Sequence, residues 1–124
     1  MAVTGLITPT NTVPFPRQAV TSGCPVDLCV AAIGGRWKPT ILYNLNQGPA
    51  RFNVLRRLIP IVSARMLTLQ LRELEADGLI SRTVHSQVPA RVDYALTAEG
   101  ASLMPILSAM AEWGLRRSGQ AAAA

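Results

Sequence analysis

Between Gly35 and Arg91 the chain places seven cations, Arg36, Lys38, Arg51, Arg56, Arg57, Arg65 and Arg72, before the first carboxylate of that stretch, Glu73. A guanidinium group suits phosphate, which its planar fork grips, and guanine edges, which accept the same fork in a major groove. A second chemistry is carried by Cys24, directly before Pro25. At a helix start the exposed backbone N–H groups and the helix dipole favour a thiolate, the form that reacts with oxidants and electrophiles. The same position also fits a small cap with no signalling role. Cys29, in phase with Val26, Val30 and Ile33, reads as inert core.

Other chemistries find no support in the residue types. There is a single histidine, His85, and four of the seven acids (Glu73, Glu75, Asp77, Asp93) fall around one helix end and the hairpin that follows it, which offers no nucleophile with its base and no paired carboxylates. Gly34-Gly35 precedes a helix but lacks the downstream Lys-Ser/Thr of a phosphate-cradling loop. An enzyme is therefore not expected. Two cysteines and one distant histidine do not have zinc-site spacing, so neither a metal nor a cofactor is expected. Cys24 and Cys29 are also wrongly placed on one helix to form a disulfide within the chain.

The elements that must position these residues follow from periodicity and punctuation. Residues 1–22, with Pro9, Pro14 and Pro16, show no period to bury and read as a flexible arm. A first helix is expected over Cys24 to Ile33, with Pro25 in its first turn, and a second over Arg36 to Leu45, stopped by Asn46-Gln47-Gly48-Pro49. A third runs from Arg51 to Ile59, with Phe52, Leu55, Leu58 and Ile59 on its apolar side. Ser63 caps a fourth, about Ala64 to Asp77, whose Leu67, Leu71 and Leu74 form a stripe ending at Gly78. Leu79 to Val84 and Arg91 to Leu96 are strand-like and make a hairpin, a wing. Thr97 caps a last helix, kinked at Pro105, whose Leu103, Ile106, Leu107, Met110 and Trp113 form a face wide enough to meet another subunit; Arg116 onward is expected to fray. The domain is read as 23–117, with 118–124 a disordered tail.

Composition agrees with one such domain. The 124 residues carry a net charge of +5, yet only 15% are charged and 49% are apolar, giving a mean hydropathy of +0.26 and an apolar excess best placed in a dimer interface. A pI near 10.2 favours an anionic partner, and it suits membrane surfaces or simple solubility as well. No apolar run approaches the ~20 residues of a bilayer helix, and the start lacks the order of a secretory signal. The expected location is the cytoplasm, with no membrane partner.

Helix, turn, basic helix and hairpin in this order describe a mainly helical winged helix-turn-helix, which presents one helix to a DNA groove. The fourth helix is the candidate recognition helix. Its core stripe leaves Ser63, Arg65, Met66, Thr68, Leu69 and Arg72 for solvent or groove; Arg65, Thr68 and Arg72 are the expected base readers. Arg51, Arg56 and Arg57 would contact the flanking backbone, and Arg82 and Arg91 would set the wing along the minor groove, with His85 and Gln87 weaker candidates. An amphipathic face that is merely solvated is the plain alternative for the fourth helix taken alone.

Cys24-Pro25-Val26, Ile33-Gly34-Gly35-Arg36-Trp37-Lys38, Gly48-Pro49-Ala50-Arg51-Phe52, Arg65-Met66-Leu67-Thr68, Leu71-Arg72-Glu73-Leu74-Glu75-Ala76-Asp77-Gly78-Leu79-Ile80, Tyr94-Ala95-Leu96-Thr97 and Trp113-Gly114 together resemble the HxlR-type winged helix-turn-helix regulators, relatives of the MarR group. The resemblance spans about Cys24 to Gly114. It implies a homodimeric bacterial transcription factor, dimerising through its first and last helices, that binds an inverted-repeat operator in double-stranded DNA. In the redox-sensing branch, a cysteine matching Cys24 reacts with oxidants or electrophiles and DNA affinity changes. Leu69 departs from the polar residue many members carry after the threonine, and the 22-residue arm is longer than usual. The competing readings are a winged-helix protein-interaction module without specific DNA binding, and a regulator answering a non-covalent small-molecule effector.

Overall fold

The computed structural model describes residues 23–119; the arm expected over 1–22 and the last five residues of the expected tail lie outside them. Helix α1 spans Pro25–Ile33, with Cys24 at its N-cap and Asp27 in its first turn, where a negative charge meets the positive end of the helix dipole. Helix α2 spans Lys38–Leu45. It begins later than expected because Pro39 lies within its first turn, the one helical position where a missing N–H is tolerated. Strand β1 is only Ala50–Arg51 and α3 follows at once as Phe52–Leu58. Arg51 therefore belongs to a sheet edge rather than to a helix. Within α3, Leu55 is fully buried while Leu58 is half exposed, contrary to its expected inward place.

Helix α4 spans Ala64–Ala76 and starts as expected, the Ser63 Oγ accepting the Met66 N–H at 3.1 Å. Its end is closed by a Schellman pair: Gly78 N–H to Glu75 O and Leu79 N–H to Leu74 O, both 3.0 Å, with Gly78 at φ +79°. Strand β2 (Ile80–His85) and strand β3 (Arg91–Leu96) form the hairpin, and β1 adds to the far side of β3, giving the order β1-β3-β2. The antiparallel register runs from Ile80 opposite Leu96 to His85 opposite Arg91, with Arg51 opposite Asp93 on the other side. Side chains alternate across a strand, so Ser81, Thr83, His85, Arg91, Asp93 and Arg51 share one face and Ile80, Arg82, Tyr94 and Leu96 the other.

Thr97 then caps a short helix α5, Ala98–Ala101, and a separate helix α6 runs Met104–Ser118. A single helix kinked at Pro105 is thus replaced by two, for the same reason that sets the start of α2: Pro105 occupies the first turn of α6. α6 continues through Arg116 and Arg117 before Gly119 turns it at φ +84°, further than the expected fraying point. The core sits where α2 (Ile41, Leu42, Leu45), α3 (Leu55) and α4 (Leu67, Leu71, Leu74) meet, closed by Ile80 of β2 and Met104 and Leu107 of α6. The whole arrangement is a winged helix-turn-helix.

Candidate nucleic-acid interface

Burial of Leu67, Leu71 and Leu74 rotates the other side of α4 outward. Arg65, Leu69 and Arg72, spaced four and three residues apart, form an exposed ridge, and Met66 lies beside it. Two hydroxyls near the helix start are already engaged. Ser63 is the cap, and the Thr68 Oγ1 donates to Ala64 O at 2.9 Å. Thr68 therefore offers its methyl group outward more readily than its hydroxyl, which changes the base edge it could meet from a polar one to a thymine methyl.

Arg82 crosses from the wing toward this helix. Thr68, Arg72, Glu75, Arg82 and Tyr94 line a cleft of about 350 Å³ between α4 and the inward face of β2–β3. Three residues expected from sequence, Thr68, Arg72 and Arg82, thus converge, joined by Glu75 and Tyr94 from outside the expected set. The alternation of β3 could have placed Tyr94 on this face, two residues before the half-buried Leu96. Glu75 carried no such signal.

The remaining expected contacts are dispersed. Arg57 is exposed and Arg56 half-buried on α3. Arg51 lies at the sheet edge, on the face opposite the cleft, with Arg91. Arg91 is not an unengaged cation: its terminal nitrogen donates to Asp93 Oδ2 at 3.1 Å, and His85 Nε2 meets the same oxygen at 2.9 Å. Burial raises the Asp93 carboxyl, but the hydrogen bonds and charges of His85 and Arg91 outweigh it and hold the group below its ordinary range.

Lys38 leaves the cationic run altogether. It is buried, and its Nζ pairs with Glu73 Oε1 at 2.8 Å, so the sequence's long stretch without a carboxylate is closed on itself in space. The pair clamps the start of α2 to the penultimate turn of α4. Arg36 lies over the Trp37 ring at 4.7 Å and stays exposed.

What fixes the wing against α4 is Thr97. Its Oγ1 donates to Gly78 O at 2.6 Å and accepts the Gly100 N–H at 3.0 Å, while its own N–H donates to Leu79 O at 3.1 Å. One residue joins the exit of α4, the end of β3 and the start of α5. Gly100 is needed there because a Cβ would collide with the Leu79 carbonyl.

On the far side, α6 presents Pro105, Ile106, Ala109, Met110 and Trp113 around an open apolar groove of about 560 Å³. Trp113 is 57% exposed and Val26, on α1, 63%. The expected inward stripe of α1 is therefore split: Ile33 and Cys29 face the core, Val26 and Val30 do not. Both cysteines are thiols, Cys24 exposed and Cys29 half-buried, and the Cys24 side chain makes no capping hydrogen bond. Among the described residues no cluster of side chains could hold a metal ion, and no helix is long and apolar enough to cross a membrane.

Known proteins share this arrangement. The chain is 52% identical over 92 residues to the HTH-type transcriptional regulator YybR of Bacillus subtilis (strain 168), covering 74% of each. The redox regulator HypR, solved in its oxidised form, superposes with a TM-score of 0.71 at 52% identity, over 73% of this chain and 94% of that one. A MarR-family transcriptional regulator of Enterococcus faecalis V583 does so with a TM-score of 0.70 at 34% identity, over 86% of this chain and 97% of the other. These relatives are regulators of transcription rather than enzymes. The profile of the HxlR-like helix-turn-helix family matches residues 32–121, and the chain belongs to that family of transcriptional regulators.

Proposed function

We propose that the protein is a homodimeric, sequence-specific DNA-binding regulator that reads its operator with α4. The observation carrying this reading is the exposed Arg65–Leu69–Arg72 ridge, with Arg82 of the wing across a shared cleft. Arg65 and Arg72 read bases in the major groove, Thr68 and Leu69 supply apolar contact to thymine methyls, and Ser63 with the N-terminus of α4 takes a phosphate. Arg51, Arg56, Arg57 and Arg91 hold the flanking backbone. Two copies meet through the exposed apolar faces of α1 and α6, so the operator is an inverted repeat whose half-sites lie about one helical turn apart or a multiple of it.

Cys24 is the proposed point of control. It stands exposed at the N-cap of α1, within reach of reagents from solvent. An electrophile would add to that sulfur; an oxidant would take two electrons as two thiols lose their protons and join. Either event sits on the helix proposed to form the dimer, and the likeness to the redox regulator HypR supports it. The protein acts in the cytoplasm, where its DNA is.

The test is binding of the purified protein, reduced and then treated with diamide or a quinone, to its own upstream intergenic DNA and to a scrambled duplex. Preference for the upstream DNA, altered by oxidant in the natural protein and in Cys29→Ser but not in Cys24→Ser, is the expected result. Binding that ignores oxidant retires the sensor and keeps the regulator. No preference on any duplex recovered from a random-sequence pool would overturn the regulator itself.

A further inference from the structure

The outward face of the wing holds a cluster that the DNA-reading helix does not use. Asp93 lies centrally on it: His85 Nε2 is 2.9 Å and Arg91 3.1 Å from the same carboxylate oxygen, and Arg51 stands opposite Asp93 in the register of β1 with β3. The side chains of His85 and Arg91 are about a third exposed, 37% and 36%, whereas that of Asp93 is 18% exposed. The carboxylate is thus sheltered and the two bases reach past it to solvent. No other charged residue shares this face of the hairpin, since the loop Ser86 to Ala90 carries none and Arg82 points to the opposite face, toward Arg72 and Glu75 of α4.

We propose that Asp93 is a positioning residue for the wing: through one oxygen it gathers His85 and Arg91 into a phosphate-contacting patch, and protonation of His85 raises the charge of that patch by one, so that affinity for DNA depends on pH. The inference rests on the DNA-binding reading above and assigns the wing a part in it. With His85 neutral, Arg91 and Asp93 cancel and the patch depends on Arg51. With His85 charged, the cluster is net positive and a phosphate that approaches Arg91 meets a second donor. Histidine changes charge between about pH 5 and 8, and it is the only histidine in the chain, so no other imidazole contributes to a pH dependence over that window. Asp93 stays ionised there, because His85 and Arg91 hold its carboxyl low against the effect of burial.

The experiment measures affinity of the reduced protein for a duplex it has itself recovered from a random-sequence pool, at about pH 6 and about pH 8, across a salt series. The natural protein should bind about two- to five-fold tighter per wing at the lower pH, the range of one exposed charge contact. Its dependence on salt should steepen there by about 0.9 in logarithmic slope for each added phosphate contact. His85→Gln, a replacement at a partly exposed site, should flatten both responses. Proton NMR of the single imidazole gives a readout that fold stability alone would not move. In Asp93→Asn the imidazole resonances should move, because the 2.9 Å contact to the carboxylate is lost. Binding equal at both pH values, a His85→Gln protein that follows the natural one, or imidazole resonances unchanged by Asp93→Asn overturns the inference and leaves the DNA reading in place. Absence of binding to any duplex at either pH overturns both.

Discussion

Two surfaces lack partners among the described residues, and they differ in kind. The side formed by α4 and the wing exposes Arg65, Arg72 and Arg82, with apolar Leu69 and Met66 set among them; the side formed by α1 and α6 exposes Val26, Val30, Ile106, Met110 and Trp113 with few charges. A solvated surface can carry scattered leucines and valines at no penalty, but a continuous apolar groove facing water is a standing cost. The charged side can stay hydrated until a polyanion displaces its counterions. The apolar side has reason to be covered permanently, and the charged side only on demand. That asymmetry fits the proposed dimeric regulator, in which the assembly would persist and the DNA contact would come and go.

The largest effect should follow from breaking the apolar side. Met110→Glu puts a charge in the centre of the α6 groove, at a position solvent-exposed in the single chain, so the fold should change by less than about 0.5 kcal/mol. Sedimentation should then show a monomer. Operator affinity should fall by about 100-fold or more, because two half-sites are no longer bound as one. A variant that stays dimeric and binds normally would show that the apolar face is not the interface.

On the charged side the first target is the staple that sets the wing against α4. Thr97→Val removes the hydroxyl that serves both Gly78 O and the Gly100 N–H and should destabilise by about 1–3 kcal/mol. Gly100→Ala forces a methyl group against the Leu79 carbonyl and should cost about the same or more. Urea unfolding measures both. If either is neutral, the wing is not held by this junction.

Much of this organisation is local and could be read from the chain. Ser63, Thr97 and Gly78 mark helix ends through bonds made within a few residues, and the Leu67–Leu71–Leu74 period fixes which side of α4 faces out. Proline carries the same kind of local information: Pro39 and Pro105 both lie within the first turns of their helices, so Pro105 marks a start rather than a kink. What was not legible is what the tertiary fold alone brings together. Lys38 and Glu73 stand far apart in sequence, and nothing in the periodicity of either helix says that a lysine counted among DNA-facing cations is buried against that carboxylate. The company of Glu75 and Tyr94 in the cleft has the same origin. The outward turn of Leu58 reflects how short α3 is: seven residues give two turns, too few for a period to choose between faces.

Within the cationic surface, the arginines should separate into two groups. Arg65→Ala and Arg72→Ala should each cost about 1–3 kcal/mol on the preferred operator and relax base preference, whereas Arg57→Ala should weaken all sequences alike and lower the salt slope by about one. Competition binding against single-base operator variants distinguishes the two. Uniform loss for all three would remove the assignment of readers and leave α4 as a backbone contact.

The smallest effect is expected at the wing, and it concerns stability in acid. Asp93 has its folded carboxyl held low by His85 and Arg91 despite burial. A group whose proton affinity is lowered by folding stabilises the fold at any pH above its unfolded value, about 3.9 for aspartate, and loses that contribution as the pH falls through the folded value. The unfolded chain binds the proton first, so stability must fall with pH from about 4 downward. Replacement by asparagine removes the titrating group. Thermal melts of the natural protein and Asp93→Asn should therefore differ most above the unfolded value, with the natural protein the more stable, and converge as the pH falls through the lowered folded value. A gap that is constant across that range would mean that Asp93 matters for packing alone and that its two cations contribute nothing to the fold.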